Sequence, residues 1–372
     1  MIKICHMTSV HEPEDVRIFH KECTSLATAG YDVTLVTRGD SYEKNGVHIV
    51  GVGQPSGGRL SRMTAFAGKV YRAALAIDAD IYHFHDPELL PYGLKLKRKG
   101  KKVIFDSHEF YSNQMQHKSY FSKSISKMVG WAYSTYEKYV IERLDALIFP
   151  CTLNGDTPYK DIAKRICLIS NVASLEDLYD RYVESGHDSS APMCYVGNLS
   201  SARCVKEIIL GALKSGLPLV VAGEFMDAAY REQCLQLIEG CERIQFIGPI
   251  DHSKVSALLQ NSSIGLCPEK NVAQYHAVDI LSTKTYEYMA MGLPVILAEY
   301  PFSKQVMQKY EFGMFVDPDD PDDIAKAMTF LAEHPEEGIR MGQNGRRAVK
   351  EEFNWGVEEK KLFALYEDIL KD

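Results

Sequence analysis

The chain has 372 residues, 45% of them hydrophobic and 25% charged, with a formal net charge of −8; this length exceeds one ordinary core and suits two soluble domains. No apolar run approaches the roughly 18 residues of a membrane span, and Met1-Ile-Lys-Ile-Cys-His-Met reads as a buried strand rather than a signal peptide, so a cytoplasmic location is expected. Nine scattered cysteines without a Cys-x-x-Cys pair read as small reduced core residues and argue against a disulfide or zinc-cysteine framework.

Short apolar runs alternate with amphipathic helical stretches, the pattern of parallel sheets wound with helices. Strands are predicted near 2–7, 32–37, 46–51, 81–85, 102–106, 145–149 and 166–169, with helices near 17–29, 60–77, 87–99 and 122–143. The first strand runs into a long charged loop, Thr8-Ser-Val-His11-Glu-Pro-Glu-Asp15-Val-Arg17. Farther on, Tyr82-His83-Phe-His85-Asp86-Pro-Glu88 offers a His-x-His pair. A metallohydrolase would want a further Asp and His in phase, where Pro87-Glu88 stand instead, so no metal is expected. His83 should pack in the strand, His85 should sit at a cleft edge, and Asp86 should cap the helix that starts at Pro87. The next strand ends in Asp106-Ser-His108-Glu109, an imidazole flanked by carboxylates whose charge and burial pull its pKa in opposite directions.

A polar stretch, 171–192, is the expected linker. Strands follow near 193–196, 217–222, 243–247, 263–267 and 294–297; Asp319-Asp-Pro-Asp-Asp-Ile324 caps a helix, and 337–351 and 356–370 are helical, with Phe353-Asn-Trp355 between them. The predicted fold class is α/β, with two Rossmann-like doubly wound domains over 1–170 and 193–352 and a terminal segment over 353–372. In such sheets ligands gather at the carboxyl ends of strands.

Polar residues of the second domain fall at such ends. Gly197-Asn198-Leu-Ser-Ser-Ala-Arg203 follows one strand, where glycine lets backbone approach a phosphate and arginine can fork two of its oxygens. Gly248-Pro-Ile250 ends another. In Asp279-Ile-Leu-Ser282-Thr283-Lys284-Thr-Tyr-Glu287, Ser282 and Thr283 open a helix whose free N–H groups and dipole suit a pyrophosphate, Lys284 adds a mobile positive charge, and Glu287 one turn on can accept two ribose hydroxyl bonds.

The last segment, closing in Gly292-Leu-Pro-Val295, resembles the donor-binding signature of retaining, nucleotide-sugar-dependent glycosyltransferases of the GT-B fold, family 4. That pattern has two acidic residues eight positions apart before a small-residue helix; Asp279 stands where a glutamate is usual. The resemblance implies transfer of a sugar with retention, no metal, and no cofactor beyond the nucleoside-diphosphate sugar as co-substrate. It implies donor contacts from Gly197, Asn198, Arg203, Gly248, Ile250, Ser282, Thr283, Lys284 and Glu287, and catalytic work from His108, Glu109, Asp279, Arg203 and Lys284. His11, Asp15, Arg17, His85 and Asp86 are the candidates for the acceptor, a glycan or lipid-linked glycan. It also implies that the last helix returns to the first domain, with Trp355 at the bend. Two rival readings are a nucleotide-sugar 2-epimerase and an inactive partner-binding subunit.

Charge is divided unevenly. Residues 1–165 carry 23 Lys and Arg against 18 Asp and Glu, and the remainder 19 against 32. The basic clusters, among them Lys118, Lys123 and Lys127 interleaved with Tyr120 and Phe121 and followed by Trp131 and Tyr133, suggest peripheral contact with an anionic inner-leaflet surface, and nothing points to nucleic acid.

Overall fold

Apolar runs bounded by turn residues form the strands of two separate, mainly parallel sheets. The computed structural model describes the chain apart from residues 59–60, 109–122, 158, 176–177, 185–187, 189 and 272–276, and apart from the side chains of 123–127, 129 and 252. Two compact units emerge, Met1–Asn171 with Glu358–Asp372, and Val172–Val357.

The first unit holds β1 (Lys3–Met7), β2 (Asp32–Thr37), β3 (Tyr42–Lys44), β4 (Val47–Gly51), β5 (Ile81–Phe84), β6 (Lys102–Asp106), β7 (Ala146–Phe149) and β8 (Ile166–Leu168), in the order β3-β4-β2-β1-β5-β6-β7-β8. The order reverses direction between β1 and β5, the crevice where such sheets take ligands. The sequence reading contained no β3. All three of its residues are exposed, and it pairs antiparallel with β4 across Asn45-Gly46, both at positive φ, so it shows a turn signal but no apolar run.

After β1 the helix Val16–Cys23 opens with a wide turn in which the Asp15 carbonyl accepts from both Phe19 N and His20 N, and the Asp15 carboxylate accepts from the N–H groups of Arg17 and Ile18. It buries Ile18, Phe19 and Cys23 and, with them, Arg17 and Glu22.

In the second unit β9 (Met193–Val196), β10 (Leu219–Ala222), β11 (Ile244–Gly248), β12 (Gly265–Cys267), β13 (Val295–Ala298) and β14 (Gly313–Val316) run in the order β11-β10-β9-β12-β13-β14, with the reversal between β9 and β12. The predicted linker stretch contributes Val172, Ala173 and Leu178 to this unit's core. Asn354 joins the last two helices, Pro335–Glu351 and Trp355–Lys371: its amide donates to the carbonyls of Val349 and Lys350, and its Oδ1 accepts from Val357 N. Helix ends otherwise leave such groups unpaired. Among the described residues no helix is long and apolar enough to cross a membrane.

Candidate active site

In the second unit, the loop after β9 and the helix Thr283–Ala290 close around a cavity of about 480 Å³ at the carboxyl ends of the strands. Gly197, Asn198, Arg203, Ile250, Ser282, Thr283, Lys284 and Glu287 line it, so eight residues read from the sequence as donor contacts are brought together. Gly197 has φ of 137°, and a Cβ there would lie 3.2 Å from Lys284 Cε, so the missing side chain leaves the lysine its place. Another hollow, of about 500 Å³, is lined by Pro192, Ser262 and Leu293, each just ahead of a strand, and so lies at the amino ends, away from these groups.

Lys284 is not the mobile charge expected. It is 8% exposed, its Nζ is 2.6 Å from Glu269 Oε1, and it lies 5.1 Å from the centre of the Tyr195 ring. The same Glu269 oxygen accepts from Arg203 Nη1 and, at 3.3 Å, from Ser282 Oγ. Ser282 sits at the N-cap position, but its hydroxyl bonds Glu269 and makes no side-chain cap. Burial pushes the Glu269 carboxyl up, yet Lys284 and Arg203 more than offset this and hold it below its usual range. Burial likewise opposes the charge on Lys284, and the surrounding groups, Glu269 among them, raise its pKa instead. On this side of the cavity two cations meet one carboxylate beside a helix N-terminus, a locally positive patch suited to a diphosphate, while Glu224 and Glu287 line the rest.

Sequence reasoning missed Glu269. Its position two residues past β12 was the available signal, but the eight-residue spacing drew attention to Asp279. Asp279 is half-buried and does not line the cavity, and neither does Gly248 at the end of β11.

In the first unit, polar side chains converge past the ends of β1, β5 and β6. His11 Nδ1 lies 3.2 Å from Asp15 Oδ2, His11 Nε2 lies 3.6 Å from Asp86 Oδ1, and the rings of His11 and His108 are 4.8 Å apart. Burial lowers the His11 pKa, but Asp15, Asp86 and Asp106 raise it above its ordinary value. Asp86 does not cap the next helix as expected; its Oδ2 accepts from Thr8 Oγ1 at 2.8 Å and Ser9 N at 2.6 Å, fixing the turn after β1.

Arg17 does not face an acceptor. It is 5% exposed; Nε and Nη2 fork the Asp106 carboxylate at 2.9 and 3.1 Å, and Nη1 donates to the Ile169 carbonyl. His85, expected at a cleft edge, is fully buried, with Nδ1 3.2 Å from His108 Nε2. His83 is buried as expected. Glu109 lies outside the described residues.

Residues 16–171 match the model of the Glycosyltransferase Family 4 domain, and residues 188–348 that of Glycosyl transferases group 1. The chain is a glycosyltransferase of the GT-B fold, with a group 1 domain as its second unit. It is 23% identical over 288 residues to the uncharacterized glycosyltransferase MJ1069 of Methanocaldococcus jannaschii, covering 74% of this chain and 70% of that protein. It is 28% identical over 149 residues to the D-rhamnosyltransferase WbpZ of Pseudomonas aeruginosa, covering 39% of this chain and 37% of the relative. Among solved structures, sucrose-phosphate synthase from Thermosynechococcus elongatus superposes with a TM-score of 0.73 at 18% identity, over 100% of both chains. Anabaena Alr3699/HepE, solved in complex with UDP and glucose, superposes at 0.70 and 12% identity over 99% of this chain and 100% of that one.

Proposed function

We propose that the protein moves a sugar from a nucleoside-diphosphate sugar to a hydroxyl of a glycan or lipid-linked glycan, with retention of configuration. The observation that carries this reading is the convergence of Arg203, Lys284, the helix start at Ser282-Thr283 and Glu287 on one cavity. A UDP-sugar is the first donor to test, since UDP occupies Anabaena HepE.

In this reading the acceptor oxygen attacks the anomeric carbon as the bond to the diphosphate oxygen breaks. The acceptor proton passes to a phosphate oxygen of the leaving group on the same face, which accounts for retention. Negative charge grows on the diphosphate, and fixed cations stabilise it without reorganising. Arg203 and Lys284 supply that charge, so turnover is expected to persist when Mg²⁺ and Mn²⁺ are omitted from the assay; strict dependence on either ion would contradict the mechanism. His11 and Asp15, each about a quarter exposed, are the acceptor-side candidates and His108 the catalytic one, while Asp86, 1% exposed, holds the turn beneath them.

Glu287→Ala is expected to weaken donor binding by about 2–4 kcal/mol, the loss of two hydrogen bonds to a charged acceptor. Calorimetric titration with the donor measures it, and an unchanged affinity removes the ribose role. Donor consumption with and without acceptor separates this reading from an epimerase and from an inactive subunit.

An anionic membrane surface is the proposed setting for a lipid-linked acceptor. Lys118, Tyr120 and Phe121 lie outside the described residues, as do the side chains of Lys123 and Lys127. The helix Lys123–Ile141 that follows exposes Met128 and Trp131, at 64% and 71%. Vesicle sedimentation at low salt is expected to show binding, with release in moderate salt or when Lys118, Lys123 and Lys127 are neutralised together, each basic residue contributing about 1 kcal/mol. No binding at low salt would favour a soluble acceptor.

A further inference from the structure

The first unit carries a second group of functional side chains that the transfer reaction does not use. His6 on β1 and His83 on β5 are register partners in the parallel sheet, and His85 lies two residues beyond His83 on the same face. Glu22 reaches them from the helix Val16–Cys23. All four residues are 0% exposed. Glu22 Oε2 is 4.0 Å from His6 Nδ1, 3.9 Å from His83 Nε2 and 3.9 Å from His85 Nε2, and His6 Nδ1 is 3.0 Å from His85 Nε2.

We propose that these four atoms, His6 Nδ1, His83 Nε2, His85 Nε2 and Glu22 Oε2, bind one four-coordinate divalent transition cation, with zinc the best fit to the ligand chemistry. Ligands at bond lengths of 2.0–2.1 Å around a tetrahedral ion are separated by about 3.4 Å, within the range of the separations above. The other nitrogen of each ring is already engaged, as it is in metal-bound histidines. His6 Nε2 and His83 Nδ1 lie 3.2 and 2.8 Å from the Tyr366 hydroxyl oxygen, which can accept from both, while His85 Nδ1 faces Asp106 Oδ2 at 3.5 Å.

A proton cannot do the same work. Between His6 Nδ1 and His85 Nε2 it would make one hydrogen bond and leave His83 Nε2 and Glu22 Oε2 buried without a partner, as both atoms are now. Charge admits a cation here. Arg17 stands between Glu22, with Nε 3.1 Å from Oε1, and Asp106, so one buried guanidinium meets two buried carboxylates and an excess of one negative charge faces the histidines. The alternative cluster of His85, Asp106 and His108 is the weaker choice, because Arg17 already forks the Asp106 carboxylate. None of the four ligands lines the diphosphate cavity, so the ion holds the sheet crevice together and has no part in stabilising the leaving group.

Elemental analysis tests this on the full untagged chain, grown with added zinc and washed with EDTA by gel filtration. The expected result is about one equivalent of zinc or another first-row divalent metal per chain, together with the strong visible absorption of four-coordinate cobalt in protein grown with Co²⁺. His83→Ala and Glu22→Gln should each lose the metal. Wild-type protein with less than about a tenth of an equivalent and no cobalt absorption would overturn the proposal, as would undiminished metal in both variants. The wild-type measurements decide the matter even if a variant fails to fold.

Discussion

Arg17→Met is expected to destabilise the protein by about 3–5 kcal/mol, because it leaves Asp106 and Glu22 buried without their shared cation. For a unit of this size that is a fall of about 10 °C in the unfolding midpoint, and calorimetry or circular dichroism reads it directly. Burial pushes the Asp106 carboxyl up, but Arg17, followed by His108 and His85, holds it well below its ordinary 3.8. A carboxylate whose pKa is depressed by folding stabilises the fold above its unfolded pKa and loses that contribution as pH falls through the folded value. The part of the gap between wild type and variant that comes from Asp106 is therefore full near neutrality and is lost in acid. A midpoint unchanged near neutral pH would mean that the fork contributes nothing to stability.

Lys284→Ala is expected to lower kcat by about 10²–10³-fold, the cost of removing one fixed group that stabilises charge developing in the transition state. Affinity for the unphosphorylated nucleoside should change little if the lysine meets phosphate, as proposed, and not base or ribose. Steady-state kinetics with the donor and calorimetry with the nucleoside separate the two effects. Arg203→Ala should act in the same direction. Equal loss in nucleoside affinity and turnover would make Lys284 a packing residue, its buried stem mattering more than its charge.

Much of the fold was legible because central parallel strands, buried on both faces, read as continuous apolar runs: Ile81–Phe84 and Ala146–Phe149 are buried throughout. Two of the four edge strands lack that signature, and so Tyr42–Lys44, fully exposed, and Gly313–Val316, only partly buried, escaped the reading, whereas the edges β8 and β11 kept enough apolar residues to be read. At the donor site the local motif was readable, since Ser282, Thr283, Lys284 and Glu287 lie on one turn and a half of helix. Glu269 was not, because what singles it out is two cations brought from other segments. The polar cluster of the first unit was illegible for the same reason. His6 and His83 are 77 positions apart in the chain, and only the pairing of β1 with β5 sets them side by side.

The fixing of Lys284 by Glu269 also settles when its disorder is given up. A lysine reaching from the surface would surrender side-chain freedom worth about 2 kcal/mol as a ligand arrives. Here that freedom is gone once the chain has folded, so a diphosphate bound as proposed would meet an ammonium already in place and need only to draw it slightly from a carboxylate 2.6 Å distant. In the proposed reaction, ligand arrival at this patch is thus an exchange of one anion for another around a cation that moves little, and departure of the diphosphate is helped by the carboxylate waiting to take its place.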